Sequence, residues 1–338
     1  VTLTIAIPTF NRMAQLERVL RRLAPQLDDR CDILVLDNAS AIPVAPMVAD
    51  VLPAGTGVRV LRHRTNIGAH ANIHRAIELA EGKWVWVLGD DDLPTEDAIA
   101  RIFAAIDADT SAVFINFTTT LVAARHERPA TLRSTGLDAF IEILDLPNSL
   151  NFMSSSVWKT EPMLPQLRLA YHYAYSMSWV FAFLLPMVAD GASVVLHADP
   201  IIDQMTMVEE GGRWSFVNFV LGFPTVLESP MSARARRRLA LKLLRSFGPE
   251  HIAGYLLAGL RNADVSHARW MYRLTTGRLN PYFTFPQRVR LLAYTVLFLS
   301  PRLSWKVVRL VIVSAVAIGL KGVSITDLES RSADGARL

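Results

Sequence analysis

With 338 residues, 51% of them apolar, the chain is long enough for one large domain or two ordinary ones and too hydrophobic for general disorder. Its single cysteine, Cys31, rules out an internal disulfide, and the net charge of +4 with a pI near 9.4 is modest enough that no nucleic-acid partner is expected. With no sign of an oxidising compartment in the cysteine usage, exposure to the cytosol is the expectation.

The first 115 residues alternate short apolar runs with helical patterns, which predicts an α/β fold with a mostly parallel, Rossmann-like sheet flanked by helices. Strands are predicted at Leu3 to Ile7, Asp32 to Leu36, Val58 to Leu61, Trp84 to Leu88 and Ala112 to Phe117. Helices are predicted at Met13 to Leu27, Ala69 to Ala80 and Glu96 to Ile106. In the first helix, Leu16, Val19, Leu20, Leu23 and Leu27 recur at the three-and-four spacing of one buried face. From Thr118 the alternation fades into a polar segment to Arg133, a helix near Leu137 to Leu144 and an extended run from Asn151 to Trp158. An aromatic helix from Tyr171 to Leu185 and a strand at Ala192 to Leu196 follow. After the loop "EEGGRW" (Glu209 to Trp214), nearly everything to Lys321 reads as helical.

In open parallel sheets, ligands bind beyond the carboxyl ends of the strands. The unusual polar residues fall there: "PTFNR" after the first strand, "DNAS" after the second, "RTNIG" after the third and "GDDD" after the fourth. Three adjacent carboxylates, Asp90, Asp91 and Asp92, have three ordinary explanations. Helix capping accounts for one of them, with Thr95 the better cap for the helix from Glu96. Acid/base chemistry needs two in different environments. A hard cation, Mg²⁺ or Mn²⁺, held by one or two carboxylates and by substrate phosphates, accounts for the cluster most economically. No GxxxxGK[ST] and no GxGxxG is present, so a P-loop nucleotidase and an ordinary dinucleotide fold are not supported.

The order "TIAIPTFNR", "ILVLDNAS", "NIGAHANIHRAIELAEGKWVWVLGDDDLP" resembles the family 2 glycosyltransferases, enzymes of the GT-A fold that use nucleotide-sugar donors, over roughly Thr2 to Ile106. The "GDDD" form is most similar to the abequosyltransferase-like branch, with Gly89 where more usual members carry the first Asp of D-x-D-D. The resemblance implies that Pro8, Thr9 and Asn11 line the nucleotide, that Asp37 contacts the base, and that Asn66 and Gly68 lie near base and ribose. It implies that Asp90 meets the ribose or sugar and that Asp91 and Asp92 bind Mg²⁺ or Mn²⁺, Asp91 having a direct part in catalysis. Asn38 and Ser40 are expected to be turn formers only.

Family 2 enzymes invert the anomeric centre, which requires a base for the acceptor hydroxyl. The usual "ED" pair is missing, and "RLAYHYAYSMSW" stands in its place, so His172 is the candidate base, with Glu161 and Asp145 as rivals. In "EEGGRW", Arg213 and Trp214 suit a lid that closes over the donor, or an ordinary surface loop with a buried Trp. His197 reads as a rim or core histidine more readily than as a further ligand.

Toward the C-terminus "RARRRLALKLLR" (Arg234 to Arg245) carries six cations and no acid, and Pro286 to Gly322 again carries only positive charge among apolar runs. The longest of these runs, Leu310 to Leu320, is short of the ~20 residues that span a bilayer. Cations beside apolar faces suit an anionic membrane surface, although a merely solvated helical subdomain has the same pattern. The expected organisation is a nucleotide-sugar-binding half at 1–117, an acceptor-binding half at 118–228, a mainly helical membrane-associating region at 229–325 and a flexible tail at 326–338. The expected activity is metal-assisted inverting sugar transfer to a lipid-linked or glycan acceptor in bacterial surface polysaccharide synthesis, at the cytoplasmic face of the membrane. A sugar nucleotidyltransferase would share the sheet but carry "GxGTR" where "PTFNR" stands; a catalytically silent scaffold would keep the fold alone.

Overall fold

The computed structural model describes residues 1–118, 128, 130–144, 150–174, 179–205, 226–246, 277 and 280–290. The chain divides into two compact units, one made of Val1–Phe247 and Ser266–Tyr282, the other of Gly248–Val265 and Phe283–Leu338.

In the first unit β1 (Leu3–Thr9), β2 (Cys31–Asp37), β3 (Val58–Arg62) and β4 (Trp84–Val87) run parallel in the order β3-β2-β1-β4, and all five strands expected before residue 118 are present, β6 (Ala112–Thr118) being the fifth. The sheet continues through β8 (Ser156–Lys159), antiparallel to both β4 and β6, then β9 (Ser193–Pro200), parallel to β6, and ends at β7 (Leu132–Thr135). Because β8 reverses between them, β4, β6 and β9 point the same way. The carboxyl ends of β1, β2, β3, β4, β6 and β9 therefore share one edge.

Leu3, Ile5 and Ile7 are fully buried and pack with Leu16, Val19, Leu20 and Leu23 of α1 (Met13–Leu23), the face that the spacing predicts. Pro25 then tightens the chain into a 3₁₀ turn, Ala24–Gln26, so the helix stops short of Leu27. A short helix, α2 (Ala45–Val51), follows β2 and buries Val48. Beyond β4 the chain makes β5 (Asp92–Pro94), which pairs antiparallel with β10 (Ile202–Met205) and carries the end of the carboxylate loop. The next helix, α4 (Ala98–Ala108), has Asp97 at its N-cap with no side-chain cap bond, which corrects the expected Thr95 cap; Thr95 instead donates its amide to Ile201 O and accepts Gln26 Nε2 at its carbonyl.

α3 (Ala69–Glu78) lies against β1, β2 and β4. The expected aromatic helix is not one element: after α5 (Leu137–Ile143), β8 and α6 (Thr160–Met163), α7 (Leu167–His172) ends at His172 and α8 (Trp179–Ala189) starts seven residues on. α8 is apolar on every face and almost wholly buried, so its pattern reads as core rather than as an amphipathic surface helix. His74 of α3 is fully buried among the rings of Tyr171, Trp179 and Phe183, edge to face at 4.9, 5.7 and 5.9 Å, and neither ring nitrogen has a hydrogen-bond partner. Burial, helped by His70, pushes its pKa down from 6.5 to about 4.

Unfolded, His74 takes a proton near 6.5; folded, it resists protonation down to about 4, so folding becomes less favourable as pH falls through that window. His74→Phe is expected to keep the fold and to remove an acid-side stability loss on the order of 3 kcal/mol, read from urea unfolding between pH 7 and pH 4.

Candidate active site

Three strand-end loops are stitched to one another before any ligand is considered. Asn38 donates its amide to Thr9 O (2.9 Å) and its Nδ2 to Asn66 Oδ1 (2.8 Å), while its Oδ1 accepts Ile67 N (2.9 Å). Asn66 Oδ1 also accepts Gly68 N at 2.8 Å. Asn11, at φ 56°, gives its amide to Ser40 Oγ (2.9 Å) and accepts Ala41 N at 2.8 Å. Gly68 is at φ 87°, a left-handed conformation that suits glycine at the start of α3. Asn38 and Ser40, expected to be turn formers only, are thus the crosspieces that hold the loops after β1, β2 and β3 together.

Asp37 is buried at the end of β2, with Oδ1 on Ser40 N (2.8 Å) and Oδ2 on Arg62 Nη1 (2.5 Å). Burial raises its pKa, but the Ser40 bonds and Arg62 outweigh that and hold it below the usual carboxylate range. A base reaching Asp37 therefore meets a carboxylate backed by a guanidinium, and Arg62 joins the residues that sequence reasoning missed.

The fourth loop answers the electrostatic question that three adjacent carboxylates pose. Arg12, on the loop after β1, places Nη1 3.3 Å from Asp90 Oδ1 and in contact with Asp91 Oδ2. Thr9 Oγ1 donates to Asp90 Oδ2 at 2.7 Å. Burial works against the Arg12 charge, but Asp90 and Asp91 outweigh it and the guanidinium stays ionised. Burial raises Asp90 to about 6, although Thr9 and Arg12 oppose it. Asp92 is raised to about 7, mainly by burial and further by Asp91 and Asp90, while Ser154 Oγ donates to its Oδ2 at 2.5 Å. The same Ser154 Oγ accepts Gly89 N at 2.8 Å, and Ser154 O accepts Trp86 Nε1 at 2.8 Å. Arg12 offsets part of the charge, and burial favours the neutral form of Asp92. The signal for Arg12 was present in "PTFNR", a cation on the loop beside the acids; Ser154 gave none, because its partner is 62 residues away.

Gly89 is explained by the same arrangement. A Cβ there would overlap Asp92 Oδ2 and stand 3.1 Å from Asp92 Cγ and 3.2 Å from Asp91 Oδ1. Asp92 has folded back into the space a side chain at 89 would fill.

Among the described residues no three His, Cys, Asp or Glu side chains are arranged to hold an ion by themselves. Asp92, expected as a second ligand, is taken up by Ser154. Asp91 is a half-buried hard oxygen donor in contact with Arg12, with Asp90 beside it. That set fits a Mg²⁺ or Mn²⁺ ion whose shell is completed by phosphate oxygens.

Of the expected bases, His172 is exposed at the end of α7, its ring edge-on to Tyr173 at 5.0 Å. Glu161 lies at the opposite, amino edge of the sheet, since Thr160 binds Lys83 O and Gly82 O ahead of β4. Asp145, Arg213 and Trp214 lie outside the described residues. His197 packs its ring against Phe117 at 5.2 Å and sits beside Asp199, as a rim histidine does. His70, unnoticed in the sequence, opens α3 half-buried with its Nδ1 lacking a partner, and burial lowers its pKa.

The basic helix α9 (Ala233–Ser246) is fastened within the first unit. Arg238 pairs with Asp138 (2.7 Å) and Glu142 of α5, and Lys242 Nζ donates to Glu142 O and Leu144 O, both at 2.8 Å, at the carboxyl end of that helix. Two of the six cations counted toward a lipid surface are therefore spent inside the protein, while Arg234 and Arg237 are exposed.

A parallel sheet with a carboxylate loop at its carboxyl edge, widened by a mixed half, is the GT-A fold of glycosyltransferases. The chain is similar to TarS of S. aureus at a TM-score of 0.61 for the complex with UDP-GlcNAc, 13% identical, covering 88% of this chain and 90% of that one. Residues 4–159 match the Glycosyl transferase family 2 model. A PGL/p-HBAD biosynthesis glycosyltransferase of Mycobacterium bovis (strain BCG / Pasteur 1173P2) is 32% identical over 105 residues, 30% of this chain and 41% of the relative. The abequosyltransferase RfbV of Salmonella typhimurium is 29% identical over 110 residues, 31% of this chain and 33% of the relative. The chain thus spans about two fifths of the first relative's length and one third of the second's.

Gly89→Asp, which restores the D-x-D-D form, is expected to evict Asp92 from Ser154 and to destabilise the fold by about 1–3 kcal/mol in urea denaturation, the usual cost of overpacking.

Proposed function

We propose that the chain transfers a sugar, with inversion, from a nucleoside-diphosphate donor to a hydroxyl of a lipid-linked or glycan acceptor in bacterial surface polysaccharide synthesis. The observation that carries this reading is the convergence of the strand-end loops on one polar pocket, with Asp37 and Arg62 at one end and Thr9, Arg12, Asp90 and Asp91 at the other. The TarS complex with UDP-GlcNAc supports a nucleotide-sugar donor, and the glycosyltransferase names of both relatives support sugar transfer. "PTFNR" in place of a Gly-rich loop weighs against the nucleotidyltransferase.

In this reading Pro8, Thr9 and Asn11 line the nucleotide, Asp37 with Arg62 meets the base, and Asn66 and Gly68 border the base and ribose. Asp90, held by Thr9, faces the ribose or sugar. Asp91 would hold Mg²⁺ or Mn²⁺; when bound, that ion supplies Lewis-acid stabilisation of the leaving diphosphate. Arg213 and Trp214 are assigned to closure over the donor. His172 is assigned as proton acceptor for the attacking hydroxyl.

The chain is also proposed to sit peripherally on the cytoplasmic face of the membrane. Among the described residues no helix is long and apolar enough to cross it. In the second unit, residues 285–290 are helical, and Phe285 (79% exposed) and Val289 (49%) lie one turn apart with Arg288 and Arg290 beside them.

A thermal-shift screen of nucleoside diphosphates and their sugars with Mn²⁺ is expected to single out one donor, stabilised by about 2.7 kcal/mol at a hundred times its Kd. With that donor, Asp91→Ala should abolish transfer and His172→Asn should lower kcat by about 10²-fold or more while donor binding persists. Full activity in excess chelator would sink the metal assignment. In vesicle co-sedimentation, the full chain should bind phosphatidylglycerol-containing vesicles and not pure phosphatidylcholine. Phe285→Ser with Val289→Ser should weaken that binding about tenfold or more, since each loses roughly 1.5–3 kcal/mol of apolar burial; unchanged binding would place the lipid contact elsewhere.

A further inference from the structure

We propose that Arg12 is a built-in counter-cation that competes with the metal for Asp91, so that the ion is admitted only together with the donor's diphosphate. The inference rests on the metal reading above and adds an order of binding to it.

The geometry is specific. The Arg12 guanidinium bridges Asp90 Oδ1 and Asp91 Oδ2, the carboxylate oxygens at the pocket rim. Arg18 Nη2 reaches only the backbone oxygen of Asp91, at 3.5 Å. Asp92 Oδ2 is bonded to Ser154 and Asp90 Oδ2 to Thr9, so a cation binding at Asp90 and Asp91 competes with Arg12 for Asp90 Oδ1 and Asp91 Oδ2. Arg12 extends from the loop after β1 and is only half-buried, which leaves its side chain room to turn.

Charge counting gives the direction. Asp90 and Asp91 with Arg12 sum to about −1 when both carboxylates are ionised. A divalent ion arriving alone would have to expel a guanidinium with nowhere anionic to go, and would leave the site positive. A diphosphate arriving with the ion brings two or three negative charges, and a guanidinium released from Asp91 finds phosphate oxygens it can bind bidentately. Metal and diphosphate therefore strengthen each other's binding, and the coupling is reciprocal. Phosphate oxygens that complete the ion's shell couple the two ligands in any case; if Arg12 only fastened two loops, free Mn²⁺ affinity and the size of that coupling would not depend on the charge at position 12.

The test measures Mn²⁺ alone by electron paramagnetic resonance, then Mn²⁺ with inorganic pyrophosphate as a base-independent probe, on the full chain and on Arg12→Met, Arg12→Gln and Arg12→Lys. Wild type should bind free Mn²⁺ weakly and at least tenfold more tightly with pyrophosphate. The two neutral variants should bind free Mn²⁺ about tenfold more tightly than wild type and lose most of the pyrophosphate enhancement. Arg12→Lys, which keeps the charge, should behave like wild type. Unchanged or weaker free Mn²⁺ binding in a folded neutral variant overturns the role of Arg12 and leaves the metal reading intact. Failure of wild type to bind Mn²⁺ even with pyrophosphate overturns both.

Discussion

Three carboxylates in consecutive positions repel one another, the more so because Asp90 and Asp92 are buried, and the site is organised around that constraint. Like charges a few ångströms apart repel strongly where the effective dielectric is low. The protein answers with an arginine from the neighbouring strand's loop, a threonine from the same strand end and a serine from the antiparallel β8 side. Each answer is also a mechanical link. Arg12 and Thr9 tie the end of β1 to the loop after β4, and Ser154 ties that loop to the mixed half of the sheet. Charge balance and loop position are here one and the same set of bonds.

The loops after β2 and β3 are held by a different chemistry, neutral amides and hydroxyls. Asn38 uses its backbone amide, its Nδ2 and its Oδ1 on three different partners, and Asn11 and Ser40 exchange bonds across the same gap. Ordering loops costs conformational entropy, and a pocket whose loops are ordered by each other has already met that cost when a ligand arrives.

The parallel half of the fold was legible because buried parallel strands leave continuous apolar runs, and all five strands appear within two residues of where those runs lie. The later half was less so. β5 is three residues long and pairs with β10 more than a hundred residues on, so no local period marks it. The aromatic helix was read as one because α8 is apolar all round and Tyr171 to Tyr173 extend its composition, although α7 ends before it begins. At the site, residue types were legible and partnerships were not. Asp90 to Asp92 announce a cluster, but that Asp92 turns to Ser154, that Arg12 lies among the acids and that Gly89 must stay small follow only from three-dimensional contacts. Thr95 looked like a cap because spacing cannot tell which of two neighbouring polar residues has the flanking dihedrals; Asp97 has them.

The clamp between α9 and α5 gives ionic strength two separate points of action. Arg238 and its two acidic partners are open to solvent on the acid side, so added salt screens them, while Lys242 meets backbone carbonyls that carry no net charge and are less affected. Raising salt would thus loosen one helix–helix fastening inside the first unit while leaving its neighbour in place.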